Sequence, residues 1–368
     1  YFSLFGIYIC ALTFILIKLG YSKFDSRITF LLLFFPSSFL MYGLPNKDIF
    51  FISGMALSLA GLLQLSALCF VSDIKKLSNH LIVFICIFLG AGLVWLPRPY
   101  GLLLISAGAA TMAMGVTIGM LFTLTVVRRT QFFSLLLLWG VVLLLGLGGV
   151  SATEIFPKLS KTINAPSANG TVITSDQNNV AIITSDQNNA TIASLDSWKS
   201  TLGLPKYIDR ALYGIALYRH NYLLSDNNKA NTRIDVEVDF ESAKQMLLYL
   251  PRALQVGLLA PFPNSWVRDS KNSNSMYLNY LLAVEMFVSY LAFCVLLFTV
   301  LRGKKQLKLI LLILGFCLTV IIIQTCSIPN VGTLLRMRWG IWSVIVVLGM
   351  ASAISFVRKS ESIKNSAN

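Results

Sequence analysis

Charge is scarce in this sequence. Lys, Arg, Asp and Glu make up 12% of its 368 residues, about half the share near 25% that a soluble globular domain carries. An ordinary water-soluble enzyme is excluded on that ground. Histidine is scarcer: His80 and His220 are the only two, which excludes a His-rich metal site. The six cysteines, Cys10, Cys69, Cys86, Cys294, Cys317 and Cys326, all lie in apolar stretches without a CxxC pair. They therefore read as small buried apolar residues, with no disulfide framework or thiolate metal pair. GxxxxGK[ST], GxGxxG and HExxH are also missing, which removes the phosphate-loop, dinucleotide and zinc-protease signatures. The sequence calls for no metal and no cofactor.

What remains is apolar. Hydrophobic residues make up 56% of the chain and mean hydropathy is +0.72. They fall in nine stretches, 1–19, 28–44, 49–71, 81–96, 101–127, 132–150, 276–301, 309–326 and 339–357, most of them near the roughly 20 residues a helix needs to cross a bilayer. The fold class expected is all-α integral membrane, with transmembrane helices 1–6 in 1–150 and helices 7–9 in 276–357. Tyr1 already sits in an apolar run without the basic start of a signal peptide. The natural start is therefore expected upstream, which allows a tenth span.

The net charge of +14 is a topology signal and makes no case for nucleic acid. Alternating connections hold Lys18, Lys23 and Arg27; Lys75 and Lys76; Arg128 and Arg129; Arg302, Lys304, Lys305 and Lys308; the tail 358–368 adds Arg358, Lys359 and Lys364. Against these 14 stand only Asp25, Asp73 and Glu361. The positive-inside rule assigns these connections and the C-terminus to the cytoplasm. The complementary loops then face outward, the largest being 151–275.

That loop divides by composition. Its first part is polar, and Ile173-Thr-Ser-Asp-Gln-Asn-Asn179 recurs at 183–189, a repeat over about 171–190 too short and polar to stack a core. It reads as a weakly ordered insertion. Two glycosylation-type triplets begin at Asn169 and Asn189. Further on, Ile208, Leu212, Ile215 and Tyr222 recur at helical spacing, and Arg219 falls within their stripe. A guanidinium there needs an anion, either a carboxylate of the chain or a ligand phosphate. Ile234, Val236, Val238 and Phe240 alternate with Asp235, Glu237 and Asp239. This predicts a strand-like or extended segment with three carboxylates on one face, which are either solvated, or supply a general base, or partner the buried arginines. The run at about 246–260 is too short to span and is interrupted by Pro251 and Arg252, which suits an interfacial or re-entrant helix.

Several arginines face outward against the topology rule: Arg98 in Trp95-Leu-Pro-Arg-Pro-Tyr100, and Arg336 and Arg338 after the Pro329-Asn330 turn. Each is either an interface anchor or a bidentate hand for phosphate. Glu285 is the one carboxylate set deep in a span, paired with Arg338 or Arg98 or else functional.

Tyr249-Leu-Pro-Arg-Ala-Leu254, Ala260-Pro-Phe-Pro263 with Trp266, and Asn330-Val-Gly-Thr-Leu-Leu-Arg-Met-Arg338 together resemble a group of bacterial multi-pass proteins encoded among exopolysaccharide and O-antigen genes. The likeness covers roughly 204–342. It implies an O-antigen polymerase-like or ligase-like glycosyltransferase of cell-envelope polysaccharide biosynthesis in the bacterial inner membrane. Its partners would be the lipid bilayer, a polyprenyl-pyrophosphate-linked oligosaccharide and other polysaccharide assembly proteins. The single large loop and the inserted repeat depart from that plan. In such a reaction an acceptor hydroxyl attacks an anomeric carbon and lipid pyrophosphate leaves. Arg98, Arg219, Arg252, Arg336 and Arg338 are the candidate substrate-binding cations, with Glu285 as a further substrate-binding candidate. His220 leads as catalytic base, followed by Asp235 and Glu237. Two rivals remain open: a metal-dependent glycosyltransferase using a single-phosphate lipid donor, and a non-catalytic transport or assembly protein.

Overall fold

Apolar sequence of this kind folds as helix, because a bilayer leaves no water to satisfy an open backbone. The computed structural model describes residues 2–35, 37–38, 47–70, 77–122, 129–163, 198–200, 203–224, 232–266, 273–303 and 307–367. The polar repeat and both glycosylation-type triplets lie outside them. Eleven α-helices occur among the described residues: α1 Phe2–Lys18, α2 Lys23–Ser26, α3 Asp48–Phe70, α4 Leu77–Trp95, α5 Gly101–Phe122, α6 Arg129–Ile163, α7 Lys206–Leu224, α8 Ala243–Leu259, α9 Ser273–Leu301, α10 Leu307–Ser327 and α11 Val331–Ala367. No strand is present among them, only two isolated bridges.

Among the described residues, six helical stretches are long and apolar enough to cross a membrane: α3, α5, Gln131–Gly149 of α6, Tyr280–Leu301 of α9, α10, and Val331–Arg358 of α11. Ser3–Lys18 and His80–Trp95 are shorter apolar helices. The protein is an all-α, multi-pass membrane protein. Leu281, Val284, Phe287 and Leu291 of α9 are exposed at helical spacing, an apolar stripe that only lipid covers without cost.

The chain forms two compact units. The first is Tyr1–Val150, Leu258–Ile321 and Leu335–Asn368. Small residues let its helices meet at backbone distance. A Cβ added to Gly54 of α3 would lie 2.5 Å from the carbonyl oxygen of Gly90 in α4, and one added to Gly90 would lie 2.4 Å from Ser58 Oγ, the close approach that helix pairs in lipid favour. Hydroxyls fix α1 and its sequel to α11: Tyr8 bonds Ser343, Tyr21 bonds Ser352 at 2.5 Å, and Arg358 pairs with Asp25 at 2.9 Å.

Two boundaries depart from the sequence reading. The stretch 28–44, expected as a second span, begins as a 3₁₀ helix, Arg27–Phe34, followed by Phe35 in an extended conformation. The next residue is Pro36, whose ring disfavours helical geometry at the residue before it. In addition, α11 starts at Val331, not at 339. Asn330 caps it, its Oδ1 accepting from the Thr333 N–H at 3.1 Å. What reads as a loop through Arg338 is thus two turns of helix.

The second unit is Ser151–Gly257 with Ile322–Leu334. Ala216, Phe240, Met246, Tyr249, Ala253 and Cys326 form its core. The segment after α7 clasps the turn before α11: Ile234 N–H bonds Pro329 O at 3.2 Å, and Val331 N–H bonds Thr232 O at 2.9 Å. Ser242 begins α8, its Oγ accepting from Gln245 N–H at 3.4 Å while Gln245 Oε1 accepts from Glu241 N–H at 2.7 Å.

Residues 233–240 are not the strand-like face expected from their alternation. Asp235 adopts φ +50°, a left-handed conformation that Asp tolerates better than most residues, and the chain turns there. The three carboxylates therefore diverge. Asp235 turns inward with its side chain 11% exposed, whereas Glu237 and Asp239 are exposed.

Candidate functional site

Helix α7 carries two candidates in sequence, and they do different work. Arg219 is wholly buried. Its Nε donates to Val238 O at 2.8 Å, Nη2 to Asp235 O at 2.5 Å, and Nη1 to Cys326 O at 3.4 Å. Its guanidinium also lies over the rings of Phe240 and Tyr249, 5.3 and 5.5 Å from their centroids. The anion expected on this face is thus replaced by three backbone carbonyls, one from the C-terminal turn of α10, where carbonyls lack intrahelical partners.

His220, one residue on, sits at a wall of the unit. Its Nδ1 is 2.7 Å from Asp239 Oδ2. With a carboxylate at Nδ1, the proton of a neutral imidazole is held there and Nε2 keeps a lone pair. That Nε2 is shielded from solvent and makes no hydrogen bond. A cavity of about 10 Å³ is lined by Trp198, Tyr213, Ala216, Leu217, His220, Asp239 and Phe240.

Asp235, a candidate base, is instead committed. Its carboxylate accepts from Arg252 Nη2 at 2.8 Å, from Arg252 Nε at 3.0 Å and from Tyr249 Oη at 2.8 Å. Burial acts to raise its pKa, but the Arg252 and Tyr249 hydrogen bonds and the nearby Arg252 and Arg219 charges outweigh burial and hold it below the ordinary carboxyl value. A carboxylate so stabilised is a poor proton acceptor. Arg252, 40% exposed, also bonds Gln255 Oε1 at 2.8 Å. The Asp235 bond raises its pKa and secures its charge. Glu237 is exposed and adds to the negative field at Arg252.

The remaining candidates belong to the first unit. Arg98 Nη2 pairs with Asp48 Oδ1 at 2.6 Å, and Nη1 donates to Tyr100 Oη at 2.8 Å. Burial acts to lower its pKa, and Tyr100 and Asp48 more than offset that. Arg338 is buried and donates to Ala260 O, with its guanidinium 5.6 Å from the Trp342 ring centroid. Tyr290 Oη and Trp266 Nε1 both donate to Pro261 O, at 3.3 and 2.8 Å. The proline-rich turn after α8 is thus held by Arg338, Tyr290 and Trp266. Glu285 is buried, accepts from Ser37 N–H at 2.9 Å and lies within the electrostatic reach of Arg338. Arg336, two residues from Arg338 and so about 200° around the helix, is exposed and without a partner among the described residues.

The structure therefore joins His220 with Asp239, and Asp235 with Arg252 and Arg219. Sequence reasoning missed Asp239 as His220's partner and missed Trp198 and Tyr213 altogether. The signal for Asp239 lay in the alternating carboxylates; none marked Trp198.

No family model, curated protein or solved structure matches this chain.

Proposed function

We propose that this is a bacterial inner-membrane polymerase or ligase of cell-surface polysaccharide synthesis, transferring sugar from a polyprenyl-pyrophosphate-linked donor at the outer face. The observation that carries the reading is the His220–Asp239 pair, whose Nδ1–Oδ2 contact of 2.7 Å leaves Nε2 unbonded on a residue that lines a small cavity. Such a pair can serve as the base that takes a hydroxyl proton. As it does so, the acceptor oxygen bonds the anomeric carbon and the carbon–oxygen bond to pyrophosphate breaks. The leaving group departs with that electron pair and gains negative charge, which positive groups stabilise.

Among the candidate cations, Arg252, in the same unit as His220, is half exposed and is the arginine of that unit available to a pyrophosphate; Arg336, in the first unit, is exposed. Arg98, Arg219 and Arg338 serve the protein's own carboxylate and carbonyls. Nine spans, or ten with one upstream, and a cytoplasmic C-terminus complete the proposed topology, placing 151–275 outside the cell. Exposed Leu247 and Leu248 of α8 suit a helix lying at the membrane interface.

The test is the chemical form of lipid-linked saccharide in cells lacking the protein. Accumulated single repeat units identify a polymerase and accumulated long chains a ligase. An unchanged pool refutes both.

A further inference from the structure

Helices α9 and α11 touch at Ala292 and Gly349, where an added Cβ would collide with Ala292 O. They touch again about two turns further along each helix, where the Phe298 and Phe356 rings lie 5.9 Å apart. The two helices therefore run in the same direction, and their apolar stretches close at the same end, at Leu301 and at Arg358. Arg302 follows at once. Its N–H bonds Phe298 O at 3.1 Å, and the N–H of Gly303 bonds Val300 O at 3.2 Å. Gly303 has φ +65°, the left-handed glycine that stops a helix. Arg302 is thus fixed at the boundary of a span.

Its side chain does more than charge placement requires. An arginine that only snorkels extends its head away from apolar surface into water. Arg302 instead lays its guanidinium over two rings from two helices, 4.3 Å from the Phe298 centroid and 5.9 Å from that of Phe356. Ring contacts of this kind consume no N–H donor. Among the described residues the guanidinium makes no ion pair and donates no hydrogen bond, and Arg302 is exposed. Its five donors stay available. The cation nearby on α11 is already answered: Arg358 pairs with Asp25 at 2.9 Å and donates to Ser22 Oγ at 2.9 Å.

The same two helix ends expose apolar surface, Leu301 at 85%, Val357 at 60% and Phe298 at 47%. An uncompensated positive charge set among such side chains, where two membrane-crossing helices end, is complementary to a molecule with an anionic head and hydrocarbon tails. A zwitterionic head brings a cation of its own, which Arg302 repels. A soluble phosphate matches the charge but leaves the apolar surface uncovered.

We propose that Arg302, seated on Phe298 and Phe356, binds the phosphate of an anionic phospholipid, whose acyl chains lie against the exposed apolar side chains of α9 and α11. The guanidinium fork offers that phosphate two parallel N–H bonds. The site uses none of the residues of the sugar-transfer reading and stands or falls apart from it.

The experiment is native mass spectrometry of the full chain in detergent, titrated with phosphatidylglycerol and, for comparison, with phosphatidylethanolamine of the same acyl chains. The first phosphatidylglycerol is expected to bind about tenfold more tightly, the equivalent of one charge-assisted pair. Arg302→Ala should abolish that preference. Phe298→Leu keeps every charge and removes the nearer ring, and it should lower the preference about threefold. Both side chains lie at the surface, so both variants are expected to fold. Equal binding of the two lipids, or a preference undiminished in Arg302→Ala, would overturn the site. A preference lost in Arg302→Ala but intact in Phe298→Leu would overturn it too, because a diffuse positive surface behaves that way. Excess inorganic phosphate should leave the lipid bound; complete displacement would make this a site for free anions and overturn the lipid assignment.

Discussion

Replacing Arg219 with Met is the sharpest structural test, because this side chain fastens three pieces of backbone at once. Met keeps much of the apolar volume and loses every donor. Two strong bonds, to Val238 O at 2.8 Å and Asp235 O at 2.5 Å, disappear with the longer one to Cys326 O at 3.4 Å. A hydrogen bond from a charged group is worth about 1.5–3 kcal/mol, Asp235 O keeping a second donor in the Val238 N–H at 3.2 Å, and the guanidinium over Phe240 and Tyr249 contributes about 0.5–2 kcal/mol more. The expected loss is about 3–6 kcal/mol, a drop in melting temperature on the order of 10 °C if roughly 2–4 °C accompany each kcal/mol. Arg219→Lys, with one ammonium for three carbonyls, should recover less than half of it. Thermal unfolding followed by size-exclusion of detergent-solubilised protein reads this directly. A melting temperature within 2 °C or so of the unaltered protein for Arg219→Met would refute the clamp and return Arg219 to the ligand-binding candidates.

Four further outcomes follow from the same geometry. Because the Asp235 pKa is depressed in the fold, its contribution is fully present above the ordinary carboxyl value of 3.8 and is lost as pH falls through the lower native value. The melting-temperature gap between the unaltered protein and Asp235→Asn should therefore be constant from about pH 8 to pH 5 and narrow below about pH 4; a gap that instead shrinks between pH 8 and pH 6 contradicts the assignment. Arg336→Lys should leave membrane abundance unchanged while transfer falls on the order of tenfold to a hundredfold, the rate equivalent of about 1.5–3 kcal/mol; Arg338→Lys should lower abundance first, which quantitative blotting separates from activity. A Cβ at Gly349 would lie 2.0 Å from Ala292 O, so Gly349→Ala should cost about 1–3 kcal/mol as α9 and α11 are forced apart, seen as a lower melting temperature. Single cysteines in a cysteine-free background should react with an impermeant reagent from outside at Ser185 and not at Lys304; the reverse pattern overturns the topology.

Much of the architecture was legible because a bilayer imposes a length and a composition on any helix that crosses it. Stretches such as 101–127 and 309–326 announce α5 and α10 without knowledge of what packs where. The stretch 28–44 misleads because hydropathy does not register the conformational demand of Pro36 on Phe35, which ends the 3₁₀ turn in extended backbone. Helical periodicity placed Arg219 on the inner face of α7, but its partners are carbonyls, which every residue carries and no sequence pattern marks. The alternation across 233–240 imitates a strand because period-two hydrophobicity survives in irregular chain. One left-handed residue, Asp235 at φ +50°, sends Asp235 to Arg252 and leaves Asp239 to meet His220. The proximity of Trp198 to Tyr213 depends on a short segment tied down by Asp209, a contact that spacing along the chain does not encode.

The central claim is that this protein moves a sugar from lipid pyrophosphate to a hydroxyl with His220 as base. Purified full-length protein in nanodiscs, given a synthetic polyprenyl-pyrophosphate oligosaccharide with EDTA present, tests it most directly, read by mass spectrometry of both lipid and saccharide. Longer saccharide and released polyprenyl pyrophosphate in equal amounts, both reduced at least a hundredfold by His220→Gln, is the expected result. Donor returned intact by the unaltered protein, or product formed as fast by His220→Gln, would contradict the claim.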